Sequence, residues 1–242
     1  MSLRPEAEIE AIRQHLANLR RAKWMDVARQ LWPAHLFHST DINNAVSILR
    51  SGQLLSRAEA EESGRLAVDI ASRDVISQTD PRWKKYVRFY FRPRAPTQYR
   101  NEGFRPSQSQ ELQSHCPVPV YLIFDALSVI SRADSHFTDG NAGAAASNPS
   151  NEVNYLKQIP FNLVYHDSAF PPEERYKIVY HRNAEVMVPK RIGLESLRFI
   201  GCRSSAEYET LLHLLSPGVR SRWVDKKGSV LNGVYFSKTG LL

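Results

Sequence analysis

Apolar positions recur at threes and fours along the start of the chain: Ile9, Ile12, Leu16, Leu19, Val27 and Leu31. That spacing predicts one helix with a single apolar stripe, stopped by Pro33. Leu36-Phe37-His38-Ser39 then reads as a short strand. Thr40 or Asp41 is placed to cap a following helix, on which Ile42, Val46 and Leu49 share a face and Gly52 takes the C-terminal glycine position. Residues 53–80 are mixed and polar, with only a weak helical signal from Arg57 to Arg65. Tyr86 to Phe91 reads as a strand by aromatic and β-branched content, ended by Pro93 and Pro96. Val118–Phe124, Ala184–Val188 and Leu197–Cys202 are further strands, and Glu207–Leu215 is a short helix closed by Pro217-Gly218. Trp223-Val224 and Val234-Tyr235-Phe236 are terminal strand candidates. The Ser-, Gly-, Asn- and Ala-rich residues 131–152 read as a loop, and residues 160–183, with Pro160, Pro171 and Pro172, as a long ordered connection. Short strands with few helices between them predict an α+β fold. No internal repeat is visible.

Composition narrows the class. The 242 residues carry 32 basic and 25 acidic side chains, for a net charge of +7. Hydrophobic residues make up 42% and aromatics 10%, enough for a packed core. No apolar run approaches the ~18 residues of a membrane span. The N-terminus is charged and lacks an apolar signal core, and Cys116 and Cys202 form neither a disulfide scaffold nor a CxxC site. The expectation is a soluble cytoplasmic protein. An isoelectric point near 9.5 favours an acidic partner, with nucleic acid foremost.

Residues 82–105 carry the most chemistry. Arg82, Lys84, Lys85, Arg88, Arg92, Arg94, Arg100 and Arg105 alternate with Trp83, Tyr86, Phe89, Tyr90, Phe91, Tyr99 and Phe104, against one acid, Glu102. Cations neutralise phosphates and aromatic faces stack unpaired bases, so such a stretch suits a single-stranded nucleic acid or a dinucleotide. An amphipathic strand with core aromatics and a solvated basic face accounts for the same pattern equally well. The usual nucleotide, metalloprotease and hydrolase motifs (GxGxxG, GxxxxGK[ST], HExxH, GxSxG) are absent, and the histidines lack metal-ligand spacing. No metal is expected.

The order of four segments resembles the DarT family, NAD-dependent ADP-ribosyltransferases that modify bases in single-stranded DNA. These are His38-Ser39-Thr40 with the helix ending Ile48-Leu49-Arg50-Ser51-Gly52; Tyr86 to Pro96, similar to a Y-V-x-F-Y-F-x-P-R-x-P pattern; Phe137-Thr138-Asp139-Gly140-Asn141-Ala142; and Asn183 to Pro189. The central block is specific, the others weak singly. The resemblance implies a split antiparallel sheet of the ADP-ribosyltransferase kind with flanking helices. Residues 1–32 would be an extra helical extension and residues 33–242 the transferase domain.

Breaking the nicotinamide–ribose bond develops positive charge on the sugar, which a nearby carboxylate stabilises. The resemblance gives that role to Glu185, which taken alone reads as an edge-strand or capping glutamate. His38 would bond the adenosine ribose of NAD, and Thr40 would touch the nicotinamide side. Tyr90 would stack on nicotinamide unless it is a core aromatic, and Arg94 would meet the diphosphate or the DNA backbone. Arg73 matches an upstream arginine that assists chemistry, with Arg65 as the alternative and a salt bridge to Asp74 or Asp69 as the plain reading; its effect would be electrostatic, since a guanidinium stays protonated. Arg88, Arg92, Tyr176 and Arg182 are assigned to nucleic acid, the last two on the Tyr165–Arg182 segment before Glu185. The family's toxin role implies a macrodomain antitoxin as partner. An RNA-modifying enzyme, a protein-modifying transferase and a non-catalytic nucleic-acid-binding module remain as alternatives.

Overall fold

The computed structural model describes residues 2–70, 80–102, 116–144 and 147–231. Arg73, Phe104, Arg105 and the Val234–Phe236 strand candidate lie outside them. Nine strands are assigned among the described residues: β1 (His35–Asp41), β2 (Gln53–Leu55), β3 (Tyr86–Tyr90), β4 (Pro119–Asp125), β5 (His136–Phe137), β6 (Glu185–Pro189), β7 (Arg191–Gly193), β8 (Leu197–Cys202) and β9 (Gly228–Val230). Seven form one sheet in the order β5-β6-β3-β1-β4-β8-β9, antiparallel except for β8–β9; β2 and β7 pair separately. The helices used below are α1 (Glu6–Arg20), α2 (Ile42–Ser51), α3 (Arg57–Glu62), α4 (Pro96–Asn101), α5 (Ala126–Ile130), α6 (Val153–Gln158), α7 (Phe161–Val164), α8 (Arg175–His181) and α9 (Ser205–Leu214). The α+β expectation holds.

The pairing of the central strands is uneven. β1 matches β4 along its full length, from His35 opposite Asp125 to Asp41 opposite Pro119. It meets β3 only at Phe37 opposite Tyr90. Beyond that bridge β1 and β3 part, which splits the sheet. Asp41 starts α2 by accepting from Asn43 N at 2.8 Å, and Gly52 ends it with φ of 69°, a left-handed conformation that glycine adopts without strain. These caps set the two ends of α2.

One face of the sheet carries the core. Leu36, Phe89, Leu122, Phe124, Val186, Val188 and Ile200 pack there with Ile12, Leu16 and Leu19 of α1. The predicted first helix stops early, however. α1 ends at Arg20, a turn follows, and Val27 and Leu31 are 82% and 59% exposed rather than continuing the stripe. Asp26 restarts the chain as a short 3₁₀ turn by accepting from Arg29 N at 3.0 Å. Trp223-Val224, expected as a strand, lie in a π-helical turn; both are buried, and a two-residue apolar run does not distinguish strand from helix. The 131–152 loop contains β5, and the connection at 160–183 contains α7 and α8.

Candidate active site

A cavity of about 160 Å³ lies against β1, α2 and β2. His38 and Thr40 of β1, Ser47 and Ile48 of α2, Leu54 of β2 and Ile70 are among its walls. This mix of apolar surface and hydroxyl, imidazole and amide groups suits a dinucleotide, whose bases need apolar walls and whose riboses need hydrogen-bond partners. Asn44 fixes one wall: its Oδ1 accepts from Ala67 N and Val68 N, and its Nδ2 donates to Val68 O at 2.7 Å. Nothing in the local sequence around Asn44 marks it for this role.

His38 ties the cavity to β3. Its Nδ1 lies 3.0 Å from the Arg88 carbonyl oxygen. A carbonyl only accepts, so Nδ1 carries the proton. Burial lowers the pKa of His38, with the Arg88 bond opposing, so the neutral ring presents Nε2 as an acceptor. That is the form needed to take a hydrogen bond from a ribose hydroxyl.

Glu185 opens β6 directly opposite Tyr90 of β3, so the two side chains share a face. Its side chain is 1% exposed. Its backbone is held by Thr138, whose Oγ1 accepts from Glu185 N at 3.0 Å and whose N donates to Glu185 O at 2.9 Å. Arg88, its diagonal neighbour, meets it with a two-pronged ion pair: Nε to Oε2 at 2.6 Å and Nη2 to Oε1 at 2.7 Å. Nη2 also donates to Asn141 Oδ1 at 3.0 Å. Burial pushes the Glu185 carboxyl above the usual carboxylate range, and Arg88 opposes that push. Tyr90 is pushed up to about 12, first by burial and then by the Glu185 charge, so its hydroxyl stays protonated.

A second group of arginines converges on the segment after α7. Arg92 is 2% exposed. Its Nη1 donates to Val164 O at 3.1 Å and His166 O at 2.6 Å, and its Nη2 to Asp167 Oδ1 at 2.7 Å. Arg94, at φ of 39°, pairs with the other Asp167 oxygen. Arg182 donates from Nε to His166 O at 2.8 Å and from Nη2 to Ser168 O at 3.3 Å. Arg29 donates to Tyr165 O. Carbonyls at a helix C-terminus lack helical partners, and these side chains supply them. Burial pulls Arg92 down to about 10, with Arg182 adding to the effect.

The arginines assigned together by composition therefore separate. Arg88 faces Glu185, not solvent-borne phosphate, because strand alternation puts it on the face of Tyr90. Arg92 is interior, with Nη1 and Nη2 on carbonyls and Asp167, so both arginines expected to meet nucleic acid have protein partners here. Arg94 and Arg182 sit partly exposed around residues 166–168, and Tyr176 on α8 is 82% exposed. His38 and Thr40 share the cavity, while Glu185, Tyr90 and Arg94 do not line it; Glu185 and Tyr90 pair across β6 and β3. Ile70, the last described residue before the Arg73 segment, lines the cavity. Asn141 lay in a recognised segment without a role; nothing in its local sequence points to a partner on β3.

A family model described as "ssDNA thymidine ADP-ribosyltransferase, DarT" matches residues 37–236. The chain belongs to the DarT family. It is thus an NAD-dependent ADP-ribosyltransferase of single-stranded DNA, as the resemblance implied. Solved DarT structures share the fold. Thermus sp. 2.9 DarT in complex with ADP-ribosylated ssDNA is 22% identical with a TM-score of 0.67, covering 84% of this chain and 97% of that one. The same protein in complex with NAD+ is 21% identical with a TM-score of 0.63, covering 84% and 98%. Thermosipho africanus DarTG in complex with ADP-ribose is 20% identical with a TM-score of 0.62, covering 81% of this chain and 49% of that one. A search of the curated proteins finds no match. Among the described residues, no helix is long and apolar enough to cross a membrane, and no group of three or more His, Cys, Asp or Glu is placed to hold a metal.

Proposed function

We propose that this chain transfers ADP-ribose from NAD to thymidine in single-stranded DNA, with Glu185 as the catalytic carboxylate. The observation that carries the reading is the buried Glu185 carboxylate, ion-paired by an arginine whose own carbonyl is bonded by a cavity-lining histidine. NAD supplies the ADP-ribosyl group, and nicotinamide leaves. Glu185 orients the ribose hydroxyls and stabilises positive charge developing on the sugar. His38 accepts a hydroxyl hydrogen bond at Nε2, and Thr40 holds the same wall. Tyr90 gives an aromatic face beside the carboxylate. Arg73 acts on developing charge, and Arg94 or Arg182 meets a phosphate of the cofactor or strand. Exposed Tyr176 offers a stacking face to an unpaired base. Because DarT enzymes damage host DNA, the protein acts as a cytoplasmic toxin held in check by a macrodomain antitoxin.

The test pairs labelled NAD with matched DNA and RNA oligonucleotides, single-stranded and duplex. The reading expects label on single-stranded DNA containing thymidine and little on its duplex, whose bases must first be unstacked. Equal labelling of RNA, or labelling that survives replacement of every thymidine, would overturn the substrate assignment.

A further inference from the structure

The Tyr86–Pro96 pattern leaves position 88 open, so family resemblance gives Arg88 no part in catalysis. Its geometry does. The guanidinium fork occupies both oxygens of Glu185, at 2.6 and 2.7 Å, and is steadied by Asn141 at 3.0 Å. The main-chain oxygen of the same residue receives His38 at 3.0 Å. One residue on β3 thus joins the carboxylate on β6 to the cavity wall on β1, across the place where the sheet splits.

We propose that Arg88 is a positioning residue of the transfer reaction: its guanidinium holds the Glu185 carboxylate in one orientation and in the ionised form, aligned with the cavity through the His38–Arg88 bond. The proposal rests on Glu185 being the catalytic carboxylate. A carboxylate has about four acceptor sites, so a two-pronged arginine leaves room for a ribose hydroxyl. An arginine fork fixes the plane of the carboxylate, which a point-charge lysine does not.

The surroundings of Glu185 isolate the effect. On β3 it faces Arg88 and Tyr90. On β5, His136 stands opposite Met187, two residues along β6. In the loop before α6, Asp139 is taken up by Tyr180 Oη at 3.0 Å and, through its carbonyl, by His181 Nδ1 at 2.7 Å. Arg88 is the one cation ion-paired to Glu185 among the described residues. Burial alone drives the carboxyl toward the protonated form, and Arg88 opposes it. Without Arg88 only the upward drive remains. The ionised form is the active one, so the acid limb of the pH–rate profile then moves to higher pH.

The experiment measures kcat and KM against pH for wild type, Arg88→Met, Arg88→Lys and Glu185→Gln, using NAD and a single-stranded thymidine oligonucleotide. For Arg88→Met the acid limb rises by ~1–3 units, the usual effect of losing an adjacent opposite charge. kcat falls at least ~10-fold at neutral pH, while both KM values stay within ~3-fold. Arg88→Lys keeps the charge and loses the fork, so its limb stays near wild type while kcat falls. If Arg88→Met is too unstable or slow to profile, Arg88→Lys decides alone. A raised KM for DNA with an unmoved limb and full kcat in either variant would make Arg88 a strand contact and overturn the proposal. A lowered melting temperature with wild-type kcat and limb would do the same. Glu185→Gln separates the two levels: if it retains turnover, the catalytic reading itself is wrong; if it is inactive while Arg88→Met keeps the wild-type profile and kcat, only the role of Arg88 fails.

Discussion

Arg88 and Arg92 stand four residues apart in one basic, aromatic block and meet opposite fates. Arg88 lies on the face of β3 that meets Glu185, 30% exposed at its side chain, and grips the buried carboxylate proposed for catalysis. Arg92 follows the end of β3 and is buried at 2% against the carbonyls after α7, with Trp32 beneath its guanidinium at 5.3 Å. The first region pairs a buried carboxylate across two strands; the second fastens the segment that precedes α8 and β6. A run of cations in sequence is not one functional surface. What each cation does is decided by the partner that folding brings to it.

That contrast is broken most sharply at Glu185. Glu185→Gln keeps the shape and removes the charge, so turnover, read as nicotinamide release, should fall at least ~10²-fold while the fold persists. A near-wild-type rate would remove the distinction between the two regions. Arg73→Ala should lower the rate at saturating NAD and DNA by ~10-fold or more, because the interaction lost belongs to the transition state. If its maximal rate is unchanged, Arg65 or Arg94 takes the assignment.

Arg92→Met tests the other side. It removes the Arg92 bonds to Val164 O and Asp167 Oδ1, while His166 O keeps Arg182 and Asp167 keeps Arg94, so it should cost about 1–3 kcal/mol of stability, read as a lower melting temperature. The folded fraction should keep its kcat; a specific loss of kcat at unchanged stability would place Arg92 with the chemistry. The smallest effect is expected at the rim. Lys84→Ala with Lys85→Ala should raise the DNA concentration needed and leave most of the maximal rate. In titrations against salt, log K for a single strand should fall by ~0.7 per phosphate contact, and this double variant should show the shallower slope.

Much of the frame was legible in the chain. The β1–α2 unit announced itself through Asp41 and Gly52, whose capping chemistry is local. β3, β4, β6 and β8 were visible because each is long enough to show its pattern. β2, β5 and β9 span two or three residues, too short for a period, and they exist because a neighbouring strand offers them a ladder. Val27 and Leu31 misled because an apolar stripe does not reveal where a cap such as Asp26 interrupts it. For the site, Glu185 was reachable through its segment, but the partners of the arginines were not. Arg88 meets Glu185 across 97 positions and Arg92 meets Asp167 across 75, distances at which residue type alone carries no pairing information.

The most direct test of the account is a mass spectrum, with fragmentation, of a single-stranded oligonucleotide containing one thymidine after incubation with the wild-type chain and NAD. The account predicts one added ADP-ribose unit, located on the thymine base, with an equal amount of nicotinamide released. An oligonucleotide recovered unmodified while NAD is consumed, or carrying the adduct on another base, would contradict it.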